Sequence, residues 1–495
     1  MSASRAVGLD GVPLFAIRRC LHVIGTHLLR IVNLSIKTGV FPECWKTAIV
    51  VPIPKSGDLT KPSNHRPISL LSVLSKILEK VVSVQLTSYL ESHHLLSPHQ
   101  YAYRSHHSTE DAVIGAVERL VSNTDRGLLS SVTAIDLSKA FDSVDHGVLL
   151  NKLPWYGITD VGWFDSYLTD IRQTVRGGVA NLPVTCGVPQ GSIIGPIIFI
   201  LFTSDLPAHL THGVLISYAD DTLHIDSASS DDSGLTGLQT RLEKTMQELK
   251  EWFTLNSLKM NSDKTDFMIV GSKVNLKRAN NFSFTTDHCS IRPSKSIKML
   301  GVIVDATLSW EGHISLVVKK CHKILFSLYR FRHYFTRDVL KILVQTYVFP
   351  HIAYCLCAWG GAGKSQMQKI QKLINFSARV VSGVKKYQHI TPALNSLGWP
   401  RIDLLVARRD AVKLWKVLRT DGAPSAIREL LVPRSEVSAR ATRGSEGGDL
   451  HLQRCRLESS RRAFSYRGAA TWNALPNSVR DSPTLNVFKA ALRSL

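Results

Sequence analysis

Cysteine is sparse: there are eight in 495 residues, and no two stand in a Cys-x-x-Cys pair. That excludes a disulfide framework and a zinc knuckle, and it points to a reducing compartment. Cys355-x-Cys357 reads as core packing. Long apolar runs are missing as well. The best, Ile193 to Phe202, carries Gly195-Pro196 and is shorter than the ~18–20 residues needed to span a bilayer. The opening MSASRAVGLDGVP has no secretory signal pattern. Acidic charge is short too, with 39 Asp and Glu facing 60 Lys and Arg for a formal +21. The surplus is uneven. Residues 301–495 hold 31 basic and 12 acidic side chains (+19), leaving 29 and 27 (+2) for residues 1–300. So lopsided a split suits a C-terminal half that grips a polyanion; a solvated helical surface is the alternative. Apolar content is ordinary at 44%, and the length allows several packed units.

The densest chemistry lies at Tyr218-Ala219-Asp220-Asp221, entered by Val214, Leu215 and Ile216 and left by Leu223 and Ile225. Adjacent side chains of a strand point to opposite faces, so two neighbouring carboxylates share a metal site only at a tight turn. The stretch therefore predicts a strand–turn–strand hairpin with its charge at the tip. Paired carboxylates are costly unless a divalent cation neutralises them, and Mg²⁺ takes carboxylate and phosphate oxygens. A third carboxylate, Asp136, falls near the end of a buried-strand pattern, Val132 to Leu137. Two strands that each end in acid suit two metal ions about 4 Å apart, the clamp for in-line displacement at phosphorus.

The ordered blocks AIDLSKAFDSVDH, GVPQGSIIGPIIF and SYADDT resemble those of reverse transcriptases of LINE-type (non-LTR) retrotransposons, in the jockey-like group. The resemblance implies an RNA-directed DNA polymerase that copies an RNA template from a 3′-hydroxyl primer, either a DNA primer or a nicked target end, using dNTPs. Two Mg²⁺ ions, or Mn²⁺ in their place, would be held by Asp136, Asp220 and Asp221. It also implies an α+β right-hand fold. Its parts are an N-terminal segment and fingers (1–130), a ferredoxin-like palm (131–310, with a fingers insertion near 150–180), a helical thumb (311–400) and a basic C-terminal extension (401–495).

By the same resemblance, Lys55 and Arg66 close on the triphosphate, whose oxygens suit an ammonium and a guanidinium fork. Phe141 lies under the sugar as a gate against a 2′-hydroxyl, and Gln190-Gly191 belong to the template and nucleotide pocket. Gln100 and Arg104 match a Gln-x-Gly-Phe-Arg block in which Ala102 and Tyr103 replace Gly-Phe. Tyr218, Ala219 and Leu300-Gly301 fall at primer and template positions. Lys264 is either a general acid at the leaving pyrophosphate or a salt-bridged surface lysine. Asp142 and Asp145 read as structural or helix-start residues. The chain opens directly on Gly8-Leu-Asp-Gly-Val-Pro13, so the expectation is a C-terminal polymerase portion without the upstream endonuclease. An intracellular ribonucleoprotein, nuclear or cytoplasmic and away from membranes, follows.

Periodicity predicts helices over 14–34, after Arg66-Pro67, from Ser108-Thr109, and over 238–255, 314–328, 339–349, 367–381 and 404–418, with a strand over Thr47–Ile53. Residues 433–450 read as a polar linker. The tail from 451, with Arg461-Arg462, Arg467, Trp472 and Phe488, suits RNA binding or packing back on the thumb. Two rivals remain. An RNA-dependent RNA polymerase is opposed by Ala219 and Phe141, and a catalytically idle RNA-binding remnant is opposed by the intact carboxylates.

Overall fold

The computed structural model describes residues 7–55, 57–178, 180–261, 265–286, 289–437 and 448–494. Its strands in chain order are β1 (Thr47–Pro54), β2 (His65–Leu70), β3 (Leu129–Ile135), β4 (Arg172–Val175), β5 (Asn181–Pro183), β6 (Val214–Tyr218), β7 (Asp221–Ala228), β8 (Asp266–Val270), β9 (Phe284–Thr286), β10 (Cys289–Ile291), β11 (Ser296–Met299) and β12 (Val302–Asp305). With the helices between them they make an α+β protein in two compact units. One comprises residues 1–104, 136–211 and 245–264; the other comprises 105–135, 212–244 and 265–495. No described helix is long and apolar enough to cross a membrane.

The first unit holds the sheet β2-β1-β4-β5. Helix Leu14–Thr38 ends where Gly39 takes a left-handed φ of 68° and donates its N–H to Ser35 O, as the sequence pattern requires. The expectation of a helix straight after Arg66-Pro67 is corrected. Residues 65–70 form β2, and the helix begins at Val73 with Ser72 as its cap. Pro67 is tolerated because β2 lies on the sheet edge, where a missing N–H costs no ladder bond. The core is helix Gly195–Thr203, whose side chains from Ile197 to Phe202 are all buried. Each such side chain contributes about 1.5–3 kcal/mol. Phe41, Trp163 and Tyr167 close the core from another side, with centroids 5.1–5.8 Å apart.

The second unit is built on the sheet β6-β7-β3-β8, with every neighbour antiparallel. In chain order the strands therefore run second, third, first, fourth across the sheet. Helix Thr109–Asp125, capped by Ser108, packs on β3 and β6. The expected helices appear at Glu311–Phe331, Arg337–Tyr347, Lys364–Ser382 and Ile402–Arg419. Cys355 and Cys357 are buried, and burial pushes the Cys355 thiol up to about 12.

The ends of the 433–450 segment pair, Pro433 with Leu450. The tail beyond it is packed: Trp472 and Phe488 lie against each other, and Phe488 stacks on Trp415 with centroids 5.9 Å apart. The tail rests on helices Ile402–Arg419 and Thr109–Asp125.

Candidate functional site

In the second unit Tyr218 pairs with Asp221, so the β6–β7 loop is only Ala219-Asp220. Such a turn needs positive φ, and Ala219 supplies it at 57°, a strained value for a residue with a Cβ. The two carboxylates thus sit at the hairpin tip, Asp220 half-buried and Asp221 exposed. The strand–turn–strand expectation holds. On the other side of β7, β3 runs to Ile135, opposite Thr222. The next residue along the chain is Asp136, which belongs to the first unit. Among the described residues, no three His, Cys, Asp or Glu side chains stand gathered as a metal-holding group.

In the first unit Asp136 is half-buried and held by Asn261, whose Nδ2 donates to Oδ2 at 3.2 Å and whose backbone N–H donates to the carbonyl at 2.9 Å. Sequence reasoning assigned Asn261 no role, although it lies three residues before Lys264. Lys264 itself lies outside the described residues. Phe141 rides on the turn Ala140–Ser143. Its ring stacks on Phe199 at 4.4 Å, and Tyr103 meets it edge-on at 6.5 Å.

The Pro189-Gln190-Gly191 loop is fixed by backbone approaches that only glycine permits. Gly191, at φ 142°, leaves no room for a Cβ beside Ser69 O of β2, and Gly187, at φ 82°, leaves none beside Asp142 O. Gln190 Nε2 donates to Asp142 at 2.8 Å, and its carbonyl accepts from Ser69 N at 2.8 Å. Asp145 caps helix His146–Lys152 through Val148 N, as expected of a helix-start residue. Beneath the loop lies Glu79, fully buried. It was missed because one acid inside a helical pattern looks like any solvated residue.

Lys55 and Arg66 come together by strand register. Ile53 pairs with Arg66, and Lys55 lies two residues beyond Ile53, so both side chains leave the same face. Both are exposed. Two other sequence-predicted residues turn inward instead. Arg104 forks Glu91 at 2.8 and 2.7 Å and donates to Ser97 O and Gln100 O. Gln100 is buried and accepts from Ala102 N. This geometry gives both a structural task. Leu300-Gly301 form the tip of the β11–β12 hairpin at φ 46° and 84°, and Tyr354 donates to Leu300 O at 2.6 Å.

Residues 53–304 match the family described as reverse transcriptase (RNA-dependent DNA polymerase). The chain is 28% identical to the probable RNA-directed DNA polymerase from transposon BS of Drosophila melanogaster, over 77% of this chain and 43% of that protein. It is 26% identical to the RNA-directed DNA polymerase from mobile element jockey of the same fly, over 76% and 42%. It is 27% identical to the Pol polyprotein from the type-1 retrotransposable element R2 of Popillia japonica, over 52% and 36%. The chain spans less than half the length of these relatives.

Proposed function

The chain belongs to the reverse transcriptase (RNA-dependent DNA polymerase) family, and on that footing we propose that it synthesises DNA on an RNA template from a 3′-hydroxyl primer, for a non-LTR retrotransposon. The observation that carries the reading is the two-residue turn at Ala219-Asp220, which holds two adjacent carboxylates at a hairpin tip inside the matched region. Their carboxylate oxygens are hard donors of the kind that Mg²⁺ takes. Asp136, Asp220 and Asp221 would hold divalent ions, which would supply Lewis acidity for an in-line displacement at phosphorus.

The chain's own residues do the positioning. Lys55 and Arg66 take the triphosphate oxygens. Phe141, fixed by Phe199, presents a ring that a ribose 2′-hydroxyl would strike. Gln190, locked to Asp142, sets the floor of the nucleotide pocket. Asn261 orients the Asp136 carboxylate. In this reading the sheet β6-β7-β3-β8 is a ferredoxin-like palm, the sheet carrying Lys55 and Arg66 belongs to the fingers, and the helices from Glu311 are the thumb.

The test is primer extension on poly(rA)/oligo(dT) with dTTP and Mg²⁺, beside RNA binding. Extension that stops when the metal is chelated supports the proposal. RNA binding without any extension sinks it and leaves an idle RNA-binding protein.

A further inference from the structure

Helix Glu311–Phe331 buries Ile314, Val317, Cys321 and Leu325. Residues three and four apart share a helix face, so the adjoining outer face carries Lys319, His322, Lys323, Phe326, Tyr329 and Arg330. Phe326 is 60% exposed and Tyr329 46%. Neither ring is isolated. Phe376, from helix Lys364–Ser382, lies 5.5 Å from Phe326, 6.3 Å from Tyr329 and 6.0 Å from His322, centroid to centroid. The Arg332 guanidinium lies over the Tyr329 ring, 4.1 Å from its centroid. A row of partly exposed aromatic rings therefore crosses two helices. Residues 319–341 around it hold seven Lys and Arg against Asp338 alone.

We propose that this row is a stacking platform for single-stranded RNA, whose bases lie on Phe326 and Tyr329 while Lys319, Lys323 and Arg330 track the phosphates. Every base has a π-face, so aromatic steps flanked by cations bind single strands without reading sequence. A duplex keeps its bases stacked on one another and offers nothing to these rings. An apolar protein partner fits poorly, because lysines are depleted from such interfaces. The choice of RNA over DNA rests on the proposed function; the stacking surface does not.

The test is fluorescence anisotropy of the full chain with labelled oligo(rU) of about 16 nucleotides, with unlabelled oligo(dT) and a pre-annealed hybrid as competitors. Phe326→Ala and Tyr329→Ala should each weaken oligo(rU) binding about tenfold and leave hybrid binding unchanged. Lys319→Gln and Lys323→Gln should each reduce the salt slope by about 0.7. If the alanine variants lose their cooperative melt, the two exposed lysines decide the matter. Unchanged affinity and slope in folded variants, or equal displacement by the hybrid, overturns the platform. Equal displacement by oligo(dT) overturns the assignment to RNA. A wild-type chain that binds oligo(rU) through these rings yet extends no primer sinks the proposed function alone. Primer extension with normal oligo(rU) binding in the ring variants sinks the platform alone.

Discussion

Glu79 Oε2 accepts hydrogen bonds from Ser192 Oγ at 2.8 Å and from the Ile193 N–H at 2.6 Å, so one buried carboxyl ties helix Val73–Ser92 to the Pro-Gln-Gly-Ser loop. Its other oxygen takes Ser75 Oγ at 2.8 Å, and Tyr167 OH completes the set on Ser192. Burial raises the Glu79 pKa above its ordinary 4.5, against the pull of the donors at Ile193, Ser192, Ser75 and Ile194. Glu79→Ala leaves those donors unpaired without water, a loss of about 3 kcal/mol. The sign with pH follows from linkage. The folded carboxyl holds its proton more tightly than the unfolded one, so this group's contribution is greatest below pH 4.5 and falls as pH rises towards the folded value. Thermal melts across that range should show a smaller decline for Glu79→Gln than for the wild type. Parallel curves would mean that Glu79 is not the group responsible.

Asp220→Asn should lower primer extension by about a thousandfold, because one carboxylate fewer leaves the developing phosphoryl charge poorly balanced. Oligo(rU) binding should survive, since its proposed contacts are carried by helix Glu311–Phe331 and not by the hairpin. Extension at the wild-type rate would remove Asp220 from the site.

Phe141→Ala should raise ribonucleotide relative to deoxynucleotide incorporation, read as the ratio of the two kcat/KM values. The stack on Phe199 is lost as well, which costs about 1 kcal/mol of stability beyond the buried area. A lower melting temperature with an unmoved ratio would make Phe141 a packing residue and nothing more.

What could be read from the chain beforehand follows local physics. The Asp220-Asp221 hairpin was legible because apolar runs flank a charge pair that strands cannot place on one face. The helices from Glu311 to Arg419 were legible because their apolar residues recur every three or four positions. β2 was not, because Pro67 reads locally as a helix start, and only its place on a sheet edge makes it a strand. Glu79 and Arg104 are decided by partners far along the chain or by loop carbonyls, and no spacing announces those. Tail arginines look alike in sequence whether they meet a phosphate or a buried carboxylate.

Arg467 illustrates that last ambiguity and settles how the tail should behave. Its guanidinium forks Asp410 at 2.6 and 3.0 Å and also donates to Cys357 O and Arg462 O. Asp410 is fully buried, and burial pushes its carboxyl up while Arg467 pulls it down. Nearby, Glu118 accepts from Ser465 N, and Asp125 accepts from Arg456 N and Leu457 N, so three acids on two helices depend on the tail for donors. Removing one partner of a buried pair costs about 3–5 kcal/mol, because the other charge is left uncompensated. Arg467→Ala should therefore move the urea midpoint far down, and Asp410→Ala in that background should recover part of the loss. Deleting 451–495 removes the tail donors of all three acids and uncovers Trp415, so the truncated chain should show no cooperative melt. A truncation that melts with an undiminished midpoint, yet binds RNA with a smaller salt slope, would show the opposite: a tail that grips nucleic acid and is dispensable to the fold.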